Sequence, residues 1–428
     1  MTIADIGKRV LRYGVDGVTL WLRIKLEEWK TRRFIRANAR NYPLKPERGL
    51  TIVAGVSAPG SLSKVMRDLA LTARDAGFPV QIYDPGATED PAQTGILALV
   101  TPQQDFRIRK YSLVLDVFNG VVPPLDGIDV ASVAFWEFED GFLEVYPRFA
   151  RKSHVVAMSD FDATVFRRLL PSTVRTSKLL YPFRFQPPHL PSRSEIRKKF
   201  GSPPDAFAVF FNFDFGSGYG RKNPDGAMRT FAKAFADDSS TVLVFKTMRA
   251  SDFPDLVTEL KRLANDLGIF HRFLMISSYL SNSDLYGLTN ACDAYLSLHR
   301  GEGFGLGVAE AMSLGLPVVA TDYSSTTEFC TSENSILVPC KTVPINGSQT
   351  GHLTYSYVTK WAEPDMDFAA DALRRLKSDA ALRAQIGAAG KSFMSKHFSV
   401  KSFRASLAQL LDEPAPSKQL TSGKPSNT

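Results

Sequence analysis

Two runs of alternating strand and helix, divided by a proline-rich break, constrain this chain more than any other feature. In the first run, residues 50–56, 80–83, 113–117, 131–135 and 154–157 read as buried strands, with helices over 62–76 and 161–170. The stretch 182–194 carries Pro182, Pro187, Pro188 and Pro191 and reads as a linker. Alternation restarts at Ala206, with strands over 206–212, 241–246, 271–276, 294–298, 316–320 and 335–338. Helices fit 223–236, 253–267, 282–291 and 306–314, and a long helical region, 366–397, precedes one near 401–412. Apolar strands separated by helices make a parallel sheet covered on both faces. Two such runs in 428 residues predict an α/β chain with two doubly wound domains. In such sheets ligands bind beyond the carboxyl ends of the strands. The chemistry is therefore expected just after strands, in a cleft between the domains.

The strongest motif lies there. From His299 to Thr321 the chain reads HRGEGFGLGVAEAMSLGLPVVAT. Glu302 falls on a loop and Glu310 about one turn inside a helix. Between them, Gly303-Phe304-Gly305-Leu306-Gly307 lets backbone N–H groups approach a ligand, and the helix N-terminus adds partial positive charge. A carboxylate accepts two hydrogen bonds from a vicinal diol. Together these suit a diphosphate flanked by hydroxyl-bearing rings, and the glycines are read as serving a ligand, not packing.

A second loop follows the strand at 206–212. Between Asn212 and Pro224 it holds Gly216, Ser217, Gly218, Gly220, Arg221 and Lys222 ahead of a helix, a phosphate-binding pattern. Lys246 ends the next strand and is a candidate phosphate contact, with a snorkelling surface lysine as the alternative. His299 and Arg300 adjoin the acidic motif. His299 is a candidate donor to a phosphate or sugar hydroxyl, and Arg300 a partner for the diphosphate or for Glu302.

The spacing of Glu302 and Glu310, the GFGL core, and the trailing A-E-A-M and G-x-P-V-V-A-T resemble the E-x7-E signature of the family-4 retaining glycosyltransferases (glycosyl transferases group 1). The resemblance implies the GT-B fold: two Rossmann-like domains facing across a cleft, with a last helix crossing back onto the first domain. It also implies transfer of a sugar from a nucleotide-sugar donor to a glycan or lipid-linked acceptor, as in bacterial surface-polysaccharide synthesis. Glu302 would serve the donor sugar, Glu310 the ribose, and Leu280 the base. Family members usually place Arg, then Lys five residues later, at the diphosphate. Lys222 matches the second member, but Ser217 stands at the first, and Arg221 is read as the substitute. On the acceptor side, Gly60 and Ser61 sit in the glycine-bearing loop after the first strand. Phe135-Trp136-Glu137-Phe138-Glu139 resembles a W-E-x-E element, with Trp136 stacking on a sugar face and Glu137 beside it. The family's first-domain histidine has no match, since His154 begins a strand.

The resemblance and the pattern divide the chain into four. Residues 1–45 form a basic amphipathic segment and 46–190 the acceptor-side domain, completed by a helix over 400–412. Residues 195–397 form the nucleotide-sugar domain and 413–428 a polar, disordered tail. Asp365-Met366-Asp367 lies in a late helical region, away from the donor motifs, so no metal or other cofactor is required. Two rival functions are an epimerase of the same fold, which needs no acceptor, and a non-catalytic sugar-binding scaffold.

Charge is uneven. Residues 1–50 hold twelve Lys or Arg against five acids, which is +7 of the chain's +8. Leu11, Val15, Val18, Leu22, Leu26 and Trp29 recur there at helical spacing, as in an interfacial helix on an anionic membrane surface or a helix packed on the body. No nucleic-acid module accompanies the charge. Three cysteines without paired spacing, and no run of eighteen apolar residues or signal-peptide pattern, point to the cytoplasm, with attachment at the inner membrane face.

Overall fold

The computed structural model describes residues 25–26, 28–39, 46–56, 61–85, 100–103, 105–108, 110–117, 122–123, 125–185, 187–345 and 358–412. The expectations for residues 1–24, for Gly60 and for the tail 413–428 lie outside them.

Strand β7 (Phe207–Asp214) shows how the sequence builds a parallel sheet. Phe207, Val209, Phe211 and Phe213 enter one apolar cluster, while Ala208 and Phe210 enter another on the opposite face. Such double burial follows from period-two side chains in a sheet packed by helices on both sides. The other strands of this second sheet are β8 (Thr241–Met248), β9 (Phe273–Ile276), β10 (Ala294–Ser297), β11 (Val318–Thr321) and β12 (Ile336–Val338). Their order is β12-β11-β10-β7-β8-β9, all parallel.

The first sheet comprises β1 (Glu47–Val53), β2 (Val80–Tyr83), β3 (Tyr111–Val117), β4 (Asp129–Ala134), β5 (His154–Ala157) and β6 (Arg175–Lys178). Their order is β2-β1-β3-β4-β5-β6, again all parallel. The edge strand β6 reads Arg-Thr-Ser-Lys and carries no apolar signal, so periodicity passes over it.

The helices nearest the cleft are α1 (Ser61–Asp75), α2 (Asp160–Leu169), α3 (Arg193–Phe200), α4 (Tyr219–Lys222), α5 (Pro224–Ala234), α6 (Pro254–Asp266), α7 (Asn282–Asn290) and α8 (Leu306–Leu314). The helical region at 366–397 is two helices, α9 (Met366–Ser378) and α10 (Ala380–His397). Asp379 ends the first and caps the second, its carboxylate accepting from the Leu382 N–H at 2.8 Å.

Three features join the domains. One apolar cluster runs through both, from Leu69 and Val156 to Phe304 and Val308. The last helix, α11 (Val400–Asp412), buries Phe403, Leu407 and Leu410 in that cluster. Its Asp412 pairs with Arg48 at 2.9 Å, and Ser406 Oγ accepts from the Leu180 N–H at 2.9 Å. Third, an antiparallel hairpin of β13 (Cys340–Pro344) and β14 (Lys360–Pro364) reaches from the second domain. It seats Trp361 in the aromatic cluster of Trp136, Phe142 and Phe166.

Residues 28–39 are helical and belong to the first domain's packing, not to a separate segment. Ile35 is buried, Phe34 stacks on Tyr83, and Asn38 donates to Phe106 O at 2.8 Å. Leu26 and Trp29 face solvent.

Candidate active site

The cleft is built from two strand ends of the second domain. After β7 the chain makes a turn through Gly218 (φ 100°) into α4, which ends at Asn223 in the left-handed conformation (φ 57°). Asn223 Oδ1 accepts from the Gly226 N–H, and its Nδ2 donates to Leu298 O at 2.8 Å, tying the Lys222 turn to the end of β10. After β10 the chain passes Arg300, Gly301 and Glu302 and enters α8 through Gly305 (φ 90°). Ser324, itself at φ 61°, braces this loop, its Oγ accepting from the Glu302 N–H at 2.8 Å.

These turns bring the cations and acids together. Lys222 Nζ donates to Glu302 Oε1, and Arg221 Nη1 lies 3.4 Å from Glu302 Oε2. Burial opposes ionisation of Glu302, but Lys222 and Arg221 outweigh it and hold the carboxyl at about 2. Burial lowers the Lys222 ammonium from its ordinary value, against the pull of Glu302. Arg221 also donates to Gly301 O at 2.7 Å and Ser217 O at 2.8 Å. From the first domain, Glu137 Oε1 approaches Arg221 Nη2 at 3.8 Å.

Glu310 differs. Burial lifts its carboxyl to about 7, opposed by Lys64 of α1, and it accepts from Tyr286 Oη at 3.2 Å. Lys64 itself donates to Asp68 Oδ2 at 2.6 Å. Lys64, Asp68 and Tyr286 are therefore near neighbours of Glu310 that sequence reasoning missed. Their lysine-acid spacing in α1 matches an ordinary solvated helix face, so nothing local marks them. Arg249 was missed too: its guanidinium lies against Gly216, beside Ser217, and grips Asp214 with two bonds of 2.8 and 2.7 Å.

Several sequence-based assignments move. His299 is fully buried and lies between Ser297 Oγ at 3.0 Å, Tyr323 O at 3.1 Å and Thr326 Oγ1 at 3.2 Å. Burial lowers its pKa, so a neutral ring braces the loop instead of donating into the cleft. Arg300 turns away from Glu302, forms bonds of 2.8 and 3.0 Å with Glu363, and stacks on Trp361 at 4.6 Å. Trp136 is 1% exposed, donates from Nε1 to Asp140 O at 2.7 Å, and offers no face to a sugar. Lys246 is buried and donates to Thr247 O at 2.6 Å, so it is not a snorkelling lysine. Phe304 stacks on Tyr181 inside the interdomain cluster, leaving only its backbone for a ligand. Ser217 Oγ donates to Asp214 O at 2.8 Å. Leu280 and Leu306 are half-buried against the core. Gly303 faces Glu137, with a Cβ there 3.8 Å from Oε1. Gly307, by contrast, packs: a Cβ would strike Tyr295 Oη and Asn212. Ser61 begins α1, and its side chain is outside the described residues.

Far from the cleft, His154 is buried with Nδ1 3.0 Å from Asp129 and Nε2 3.0 Å from Ser177 Oγ. No cluster of three or more His, Cys, Asp or Glu among the described residues is placed to hold a metal ion.

Residues 192–343 match the family model for glycosyl transferases group 1. A 74-residue stretch is 38% identical to a lipopolysaccharide core biosynthesis mannosyltransferase, LpsB, of Rhizobium meliloti. That stretch is 17% of this chain and spans about a fifth, 20%, of the mannosyltransferase. Among solved structures, HepE of Anabaena in complex with UDP-glucose superposes with a TM-score of 0.63 at 16% identity, covering 85% of this chain and 99% of HepE. A glycosyltransferase of Rickettsia africae gives 0.60 at 12% identity, covering 85% and 98%. WaaG, a glycosyltransferase involved in lipopolysaccharide biosynthesis, gives 0.53 at 15%, covering 85% and 100%. These likenesses and the two facing parallel sheets make the fold GT-B.

Proposed function

We propose that this chain is a retaining glycosyltransferase that moves a sugar from a nucleotide-sugar donor to a glycan or lipid-linked hydroxyl in cell-surface polysaccharide or glycolipid synthesis. One observation carries the reading: Lys222, Arg221 and Glu302 converge at the loop that enters α8, with Glu310 one turn along that helix. The diphosphate would lie at the α8 N-terminus and compete with Glu302 for the Lys222 ammonium. Glu310 would accept from the ribose diol, and Glu302 from the sugar hydroxyls. In the transfer, the anomeric C–O bond to the diphosphate breaks, and the acceptor oxygen bonds to the same face of that carbon. The acceptor's proton passes to the departing phosphate oxygen, whose charge Lys222 and the loop amides stabilise. No step calls for a metal. No described helix is long and apolar enough to cross a membrane, and a peripheral site at the inner face would suit a lipid-linked acceptor.

The test is a thermal-shift screen with UDP, GDP, dTDP and their sugars, followed by NMR of the product formed with an acceptor. One nucleotide series should stabilise the protein, and the product should keep the donor's anomeric configuration. Inverted product, or turnover that needs no acceptor, would overturn the assignment.

A further inference from the structure

A cavity of about 230 Å³ lies in the first domain, lined by Arg32, Arg148, Arg151, Lys152, Ser153 and Val130 among others. Val130 is the second residue of β4 and Ser153 precedes β5, so the cavity opens toward the amino ends of these strands. Glu137 follows the carboxyl end of β4, seven residues from Val130 and roughly 20 Å along the strand direction. The donor cleft and this cavity therefore lie at opposite ends of the sheet.

Four cations meet there from two separate elements. Arg32 comes from the helix over 28–39, and Arg148 and Arg151 from the short turn Pro147–Arg151 that leads to Lys152. Among the described residues, Asp116 lies 3.5 Å from Lys152 Nζ. Asp116 is already engaged, accepting from the Val122 N–H at 3.0 Å and the Ser132 hydroxyl at 2.5 Å. Burial lowers the Lys152 pKa; Asp116 opposes this, while Arg32 and Arg148 add to it. The Nε of Arg32 is buried with no hydrogen-bond partner. A fold that gathers like charges around a cavity and leaves a buried guanidinium N–H unmet holds electrostatic energy that an anion would release.

We infer that this cavity is a second anion site, taking a phosphate group carried by a lipid headgroup or by a soluble phosphate compound. Neither the donor cleft nor the transfer reaction enters this inference. Guanidinium groups in a fork favour phosphate over a point anion. Leu26 and Trp29, exposed on or beside the helix that supplies Arg32, give a reason to test the lipid source directly.

The experiment uses the full chain and two probes, inorganic pyrophosphate by calorimetry and vesicles of phosphatidylglycerol or phosphatidylcholine by co-sedimentation. The variants are Arg148→Ala/Arg151→Ala and, on the other element, Arg32→Gln, each checked for a melting temperature no lower than that of wild type. Lys222→Ala identifies the pyrophosphate bound in the donor cleft. The expected result is a pyrophosphate site insensitive to Lys222→Ala and weakened at least about tenfold by either cavity variant, the size of one lost charge-assisted hydrogen bond. Loss of phosphatidylglycerol sedimentation in the cavity variants, reversed in wild type by added pyrophosphate, assigns the site to a lipid headgroup. Weakened pyrophosphate binding with unchanged sedimentation assigns it to a soluble phosphate. If both cavity variants bind both probes as wild type does, the inference is overturned. If Arg148→Ala/Arg151→Ala unfolds, Arg32→Gln alone decides.

Discussion

Glu310 is the residue whose charge the fold leaves adjustable. Burial holds its carboxyl at about 7, whereas Glu302, paired with Lys222 and Arg221, stays ionised down to about 2. Nucleoside diphosphate affinity should therefore rise between pH 6 and pH 8, as Glu310 ionises and becomes a better acceptor for the ribose diol. Glu310→Gln should flatten that rise and weaken binding by about 1.5–3 kcal/mol, the worth of one charged hydrogen bond. Stability should run the other way. Between the ordinary carboxyl value of 4.5 and about 7, the folded protein keeps a proton that the unfolded chain has lost. Wild type thus loses stability as pH rises through this window, and Glu310→Gln should melt higher than wild type at pH 8 but not at pH 5. Calorimetry and melting curves at both pH values would detect either failure.

If Lys222 holds the diphosphate as proposed, Lys222→Ala should weaken nucleoside diphosphates far more than the matching nucleoside. Equal losses would make it structural. Arg221→Ala and Arg249→Ala, measured together, would show which cation acts where Ser217 stands in place of the family's arginine. The acidic pair and Lys222 were legible because spacing and glycine content are local properties. His299, Arg300 and Trp136 were not, because neighbours along a chain point in different directions. His299 turns inward to Tyr323, and Arg300 turns to Glu363, sixty-three residues on.

At the scale of elements, the hairpin of β13 and β14 is what periodicity could not supply. Its strands carry Lys341, Pro344, Lys360 and Pro364, and its energy comes from partners some two hundred residues away in the chain. Trp361 is 1% exposed among first-domain aromatics, so Trp361→Ala should cost about 3–5 kcal/mol, with Trp361→Phe much milder. Arg300→Ala removes the two bonds to Glu363 and the stacking on Trp361, and should cost about 2 kcal/mol or more while leaving nucleotide affinity unchanged. Urea unfolding would register both losses. A drop in nucleotide affinity without a drop in stability would instead return Arg300 to the donor site. The core strands, in contrast, were readable, because strands buried on both faces are continuous apolar runs whatever their distant partners.

Across the whole molecule, two domains become one body through contacts that no single domain contains. Lys178 of β6 pairs with Glu328 at 2.6 Å, Glu328 also accepts from the Asp160 N–H at 3.1 Å, and Ser159 meets Ser325 at 2.9 Å. On the other side α11 returns from the end of the second domain to lie on α1 of the first. The crossing was legible only through the family resemblance, since an amphipathic last helix does not name the surface it covers. Phe403, Leu407 and Leu410 are each at most 1% exposed. Burying three such side chains contributes on the order of 5–9 kcal/mol as an upper estimate. That is comparable with the whole stability of an ordinary domain, about 5–15 kcal/mol. A chain ending at Ser399 should therefore melt more than about 10 °C below the full chain, by the usual scaling for domains of this size. A chain ending at Asp412 keeps α11 and should melt with the full chain. Leu407→Ala, at about 2–5 kcal/mol, should fall between the two. Should the two truncations melt together, α11 would be an appendage, and the continuous cluster through both domains would not be what holds the cleft walls in register.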